Sequence, residues 1–158
     1  MSISFALLLA FAIGMVAGLR SMTAPAVTAW AAFSHHLNVA GTLFGFMASR
    51  VTLIVFVVFA VGELIADKLP NTPPRTKPPG LIARVLTGAL CGGCLGATIG
   101  LSLAPGVLLG AAGGIGGAFA GYQWRTGLVR AWHAPDYVVA LLEDAIAIGA
   151  GLLIVSRF

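Results

Sequence analysis

Residues 51–69 read VTLIVFVVFAVGELIADKL, and residues 137–155 read YVVALLEDAIAIGAGLLIV. Each run is close to the ~20 apolar residues that carry a helix across the hydrocarbon core of a bilayer. Each also holds two carboxylates, Glu63 with Asp67 and Glu143 with Asp144. The chain has five acidic residues, so only Asp136 lies outside the two runs. An ionisable side chain in hydrocarbon costs roughly 2.5–3.5 kcal/mol on insertion scales. A sequence that places nearly all its acids there needs partners for them, or a pathway that uses them. Its fold class is therefore an all-α membrane protein with a polar centre.

The rest of the composition agrees. Of 158 residues, 59% are hydrophobic and 9% are charged, and the mean hydropathy is +1.00. A soluble domain carries about 25% charged residues, so this chain has too little charge to cover a water-facing surface. Its length suggests one domain over 1–158. The formal charge of +4 encodes orientation in a bilayer rather than nucleic-acid binding. Met1-Ser2-Ile3-Ser4 lacks the basic start of a cleavable signal, so the first span is expected to be retained.

Working outward from the two runs, the pattern predicts about five transmembrane helices plus a short half-helix. The first span covers Ile3 to Leu19 and stops at Arg20-Ser21-Met22-Thr23. Ala24-Pro25 then opens a stretch to Phe33 that is too short to cross, because proline suits a helix's first turn. Ser34-His35-His36-Leu37-Asn38 breaks it, and Val39 to Ser49 is a further apolar segment. The second span covers Arg50 to Asp67. Lys68 to Gly80, with Pro70, Pro73, Pro74, Pro78 and Pro79, reads as an extended loop. The third span covers Leu81 to Leu103, Ala104-Pro105-Gly106 reads as a turn, and the fourth covers Val107 to Tyr122 with its helix continuing toward Trp132. His133-Ala134-Pro135-Asp136 is a turn before the fifth span, Tyr137 to Ser156.

Lys and Arg near the span ends set the orientation. Lys68, Arg75, Lys77, Arg84, Arg125 and Arg130 fall on one side, and Arg20, Arg50 and Arg157 on the other. That balance predicts the N-terminus inside and the C-terminus outside. A weak repeat relates Gly14 to Arg20 with Gly117 to Gln123, and Val58 to Glu63 with Val138 to Glu143. With five spans, spans one and two would then be the inverse of spans four and five. Transporters often use such an inverted-topology repeat, with the site at the repeat interface.

Glycines recur every fourth position, at Gly88, Gly92, Gly96 and Gly100 on the third span and at Gly113, Gly117 and Gly121 on the fourth. A further row, Gly106, Gly110 and Gly114, lies on an adjacent face. Lipid offers helices no hydrophobic reason to associate, so small residues that let backbones close up are the packing signal. These stripes predict a tight hairpin of spans three and four. They also extend to a homo-oligomer, or to a subunit of a membrane complex.

The chemistry rests on Glu63, Asp67, Glu143, Asp144 and Arg20 as an ion- or substrate-binding centre. Glu63 and Asp67, four apart, share a helix face. Glu143 and Asp144 point to different neighbours. Two readings stay open: ion pairs that lock the bundle, with Arg20 or Arg125 on Glu143 and Lys68 on Asp67, or a cation or proton pathway. The start of the half-helix could instead favour an anion. Cys91-Gly92-Gly93-Cys94 lacks the βαβ setting of a redox motif and reads as packing. His35-His36 and His133 read as interfacial turns, and Trp30, Trp124, Trp132 and Tyr137 as interfacial anchors. No metal site, cofactor motif or nucleophile–base pair is present, which argues against an enzyme.

Three strings, Gly18-Leu19-Arg20-Ser21-Met22-Thr23-Ala24-Pro25, Glu63-Leu64-Ile65-Ala66-Asp67-Lys68-Leu69-Pro70 and Leu142-Glu143-Asp144, together resemble a family of small bacterial integral membrane proteins, domain of unknown function 4126. That resemblance implies an all-helical inner-membrane protein and supplies no activity. A fainter likeness is to cation/proton exchangers with an E-x-G-D-K/R motif in each inverted half. Here the acids are spaced by four rather than three, and no base follows Glu143-Asp144. The expected function is a small secondary transporter or channel-like permease. The alternative is a non-transporting assembly module or a lipid-handling protein.

Overall fold

A computed structural model of the chain describes residues 1–67, 76–132 and 136–158. Among the described residues every regular element is helical. They are α1 (Ile3–Leu19), α2 (Thr23–Phe33), a 3-10 turn at Gly45–Ala48, α3 (Arg50–Ala66), α4 (Pro78–Thr98), α5 (Leu103–Trp132) and α6 (Asp136–Val155). Three of them, Pro78–Thr98, Leu103–Arg130 and Asp136–Val155, are long and apolar enough to cross a membrane, and Ile3–Leu19 is a shorter apolar helix. The outer faces carry large bare apolar side chains, including Val58, Phe59, Ile65, Leu86 and Leu108. A soluble monomer rarely leaves so much contiguous apolar surface open to water.

Local chemistry sets the helix starts. Ser2 Oγ accepts from the Phe5 N–H at α1, and Ser49 Oγ accepts from the Thr52 N–H at α3. Pro78 and Pro79 belong to the first turn of α4 rather than to an extended loop, since proline lacks the N–H that a first turn leaves unused. Ala104-Pro105-Gly106 is likewise the first turn of α5, not the connection. The connection lies just before it, where Gly100 takes a φ of +71°. Gly100 therefore lies just past the end of α4 instead of joining its packing stripe, and no atom of a neighbour would lie within 4 Å of a methyl added there. The apolar segment Val39 to Ser49 forms turns and the 3-10 piece. Residues 68–75, with Lys68, Pro70, Pro73, Pro74 and Arg75, lie outside the described residues. So do residues 133–135, with His133.

The glycine rows bring backbones together. A methyl added at Gly110 would lie 2.1 Å from the Gly88 carbonyl oxygen, and one at Gly106 would lie 2.5 Å from that of Gly92. Low numbers on α4 thus face high numbers on α5, an antiparallel pair. Gly113 meets Phe11 and Gly14, and Gly117 meets Met15 and Gly18, so α1 and α5 run parallel. The second glycine row of α5 is used by α1 of the same chain and is not left for another subunit. Gly96 makes only ordinary contact with Gly106, and Gly121 is buried on α5.

The parallel run of α1 and α5 overturns the expected inverted repeat, which needs spans one and four to be opposed. It also overturns the expected placement of the ends. Arg20, just past α1, pairs with Asp67 at the end of α3 and with Asp144 in the first half of α6. So α1 and α3 arrive at this end of the bundle, and α6 leaves it. The chain returns in between by way of α2. Val27 packs on Gly151 of α6, and Trp30 and His36 line an open pocket of about 380 Å³ with Leu152, Val155 and Ser156. The start of α1 and the end of α6 therefore share the far end, because the half-helix reverses the chain. Nine of the eleven residues of α2 are buried, which makes it an inner element of the bundle.

Candidate functional site

The site grows from the break between α1 and α2. Arg20 is extended (φ −137°, ψ 109°), so the helix stops and a new one starts three residues later. A broken helix exposes carbonyls at the first end and N–H groups at the second. Arg84 of α4 serves the first end: its Nε donates to the Gly18 carbonyl at 3.0 Å, and its Nη1 to Gly80 O at 2.9 Å. Glu63 of α3 serves the second. Met22, the residue before α2, has no side-chain oxygen to cap with. The Glu63 carboxylate takes that role, accepting from Ser21 N (2.8 Å), Ser21 Oγ (2.7 Å) and Met22 N (2.8 Å). The positive end of the α2 dipole thus faces a negative group of its own chain, and Arg84 Nη2 stands 3.7 Å from Glu63 Oε1.

Beside the break lies the second part of the cluster. Arg20 is fully buried, and its Nη1 bonds Asp67 of α3. Its Nη2 lies 2.5 Å from Asp144 Oδ1 and 3.9 Å from Glu143 Oε2, both on α6. Arg125 of α5 reaches in from the other side. Its Nη1 is 3.9 Å from Glu143 Oε2 and 4.0 Å from Asp67 Oδ2. Its Nε donates to Asp136 Oδ1 at 2.9 Å, and its Nη2 bonds the same carboxylate. The five acidic residues and three arginines, drawn from the α1–α2 break and from α3, α4, α5 and α6, fall into two groups of ion pairs, Arg84 with Glu63, and Arg20 and Arg125 with Asp67, Asp136, Glu143 and Asp144, and the two groups meet at the backbone of the break.

The five residues named from the sequence, Glu63, Asp67, Glu143, Asp144 and Arg20, are all brought together. The lone carboxylate outside the apolar runs, Asp136, belongs with them. It lies two helical turns before Glu143, on the same face of α6, a spacing visible in the sequence. Arg20 and Arg125, the two partners the sequence offers for Glu143, both stand 3.9 Å from its Oε2, whereas the anchoring part of Arg84 has no signal in the sequence beyond its charge. The anion looked for at the start of α2 is the chain's own Glu63. Lys68 as a partner of Asp67 lies outside the described residues. Cys91 and Cys94 are buried and free. Among the described residues no group of three His, Cys, Asp or Glu side chains is placed to hold a metal ion.

Such a network can do two things chemically. Removing one member of a buried pair leaves an uncompensated charge and costs about 3–5 kcal/mol, so it fixes the relative placement of five helices. It also holds carboxylates with more than one cation in reach, so that pairings can exchange. Comparison with protein-family models, with curated proteins and with solved structures returned no match.

Proposed function

We propose that this protein is a small secondary transporter or channel-like permease for an ion or small polar solute, with Asp67, Glu143 and Asp144 as its coupling centre and Arg20 as their counter-ion. The observation that carries this reading is Glu143, fully buried, with one oxygen 3.9 Å from guanidinium nitrogens of both Arg20 and Arg125. A carboxylate shared between Arg20 at the α1–α2 break and Arg125 of α5 has near-equivalent pairings, and an arriving proton or cation can tip the balance between them. Glu63 is assigned a different part, the fixed cap of α2. In this reading α1, α3, α4, α5 and α6 cross a bacterial inner membrane, and the short α2 with the segment after it carries the chain back across between α1 and α3, a broken helix of the kind that lines transport sites. The segment joining α3 to α4 carries Lys68, Arg75 and Lys77, and Arg130 closes α5, whereas Arg50 and Arg157 flank the other end. The positive-inside rule then puts the ion-paired end in the cytoplasm. The likeness to domain of unknown function 4126 is compatible with this reading and adds no activity to it.

The test uses purified protein in sealed liposomes with an imposed pH gradient, an internal pH dye and a panel of cations and simple anions. The expected result is a solute-dependent pH change that vanishes in Glu143→Gln while the variant stays folded. Undiminished flux in a folded Glu143→Gln variant, or no response to any solute, overturns the assignment. The rival reading, a non-transporting assembly module, is favoured by the three short hydrogen bonds of Glu63, which suit a static lock. It predicts silent liposomes and a partner that co-purifies from native membranes.

A further inference from the structure

Arg125 is placed unlike the other two arginines of the cluster. Arg20 is completely buried and Arg84 nearly so, whereas the Arg125 side chain keeps 16% of its surface exposed. Its partner Asp136 is 61% exposed, at the first turn of α6, while Glu143 on the same helix face two turns deeper is fully buried. One guanidinium therefore spans the step from water to the interior. Nε and Nη2 face outward to Asp136, and Nη1 faces inward to Asp67 and Glu143 at about 4 Å. The inner contacts are long and the outer ones are direct hydrogen bonds, so the outer carboxylate sets where the guanidinium stands. Apart from this bridge α5 and α6 touch little, since α5 is packed on α4 and α1, and α6 on α1 and α2. Few other side chains of α5 thus hold that edge of the cluster shut.

The geometry points to Arg125 as a latch over the buried carboxylate of Glu143, held closed by Asp136: while the pair is made, water is kept from Glu143, and when it opens the cluster communicates with solution at the end where α5 meets α6. In a transporter this would be the access gate of one side, so its functional meaning rests on the reading above. The gating itself is a statement about solvent access and stands apart from it.

A cysteine at position 140 reports on access. Ala140 is fully buried, one turn beyond Asp136 and one turn before Glu143 and Asp144. The Ala140→Cys protein is placed in lipid nanodiscs and exposed to a membrane-impermeant, positively charged methanethiosulfonate. Modification is read peptide by peptide by mass spectrometry, so that the native Cys91 and Cys94 serve as buried internal controls. With Asp136 present the label should go on slowly. With Asp136→Asn it should go on at least tenfold faster, and with Asp136→Glu, which keeps the partner charge, it should stay slow. Asp136→Ala is the second release variant and should match Asp136→Asn. Equal slow rates in all four proteins, each shown folded by thermal melting, would overturn the latch even if the liposomes transport. A fast rate on release together with silent liposomes would uphold the latch and remove the transport reading.

Discussion

Replacing Glu63 by alanine should be among the most damaging single changes in the molecule. The carboxylate accepts three hydrogen bonds of 2.7–2.8 Å, two of them from the backbone N–H groups of Ser21 and Met22. Hydrogen bonds to a charged group contribute about 1.5–3 kcal/mol each, but the three are not independent. Ser21 is buried and the Glu63 side chain is only 12% exposed, so little solvent screening lessens the loss. The N–H groups left behind sit at the start of a buried helix whose own N-cap has no oxygen to offer, and Arg84 loses a charge 3.7 Å away. Together these place the cost of Glu63→Ala at about 3–5 kcal/mol, the range for breaking a buried pair. Glu63→Gln keeps one acceptor oxygen and should lose about half as much. Reversible unfolding in mixed detergent micelles, followed by tryptophan fluorescence, measures both. Wild-type stability in Glu63→Ala, to within about 0.5 kcal/mol, the usual range of surface substitutions, would show that α2 does not depend on this cap and would refute the reasoning.

Arg20→Met should destabilise by about 3–5 kcal/mol, because it removes the buried guanidinium that Asp67 and Asp144 share. Adding Asp144→Asn should return part of that loss, and a coupling energy near zero in the double-mutant cycle would show that the pair is not energetically linked. At Gly110 an alanine methyl would meet the Gly88 carbonyl at 2.1 Å, so Gly110→Ala should cost at least the 1–3 kcal/mol typical of overpacking. Gly149→Ala, with nothing within 4 Å of its methyl inside α6, should be neutral or stabilising by up to about 1 kcal/mol. Thermal melts in detergent that rank the two glycine variants the other way would contradict the packing described here.

How far the site could be read in advance follows from how charge and periodicity are written in a chain. Glu63 and Asp67 on one face, and Glu143 and Asp144 in a second apolar run, marked the cluster because carboxylates in hydrocarbon stand out against their neighbours. The glycine rows at Gly88, Gly92, Gly106 and Gly110 are similarly legible, since a four-residue period places them on one face. The role of Glu63 was not legible: a cap donated across 41 residues, from α3 to Met22, has no local signature.

The sequence by itself determined that the chain is helical and apolar, that one helix breaks at Arg20 and restarts as a half-helix before Pro25, and that its acids must find partners. These are properties of short windows, where composition and a 3.6-residue period suffice. Only the tertiary structure decided that α2 turns back beside α6, so that α1 runs parallel to α5 and the expected inverted repeat and opposed ends give way. It also decided which arginine meets which carboxylate. Helix direction after a break depends on what covers the freed backbone groups. Here Arg84 and Glu63 do so from segments distant in sequence, through contacts that exist only once the bundle has assembled.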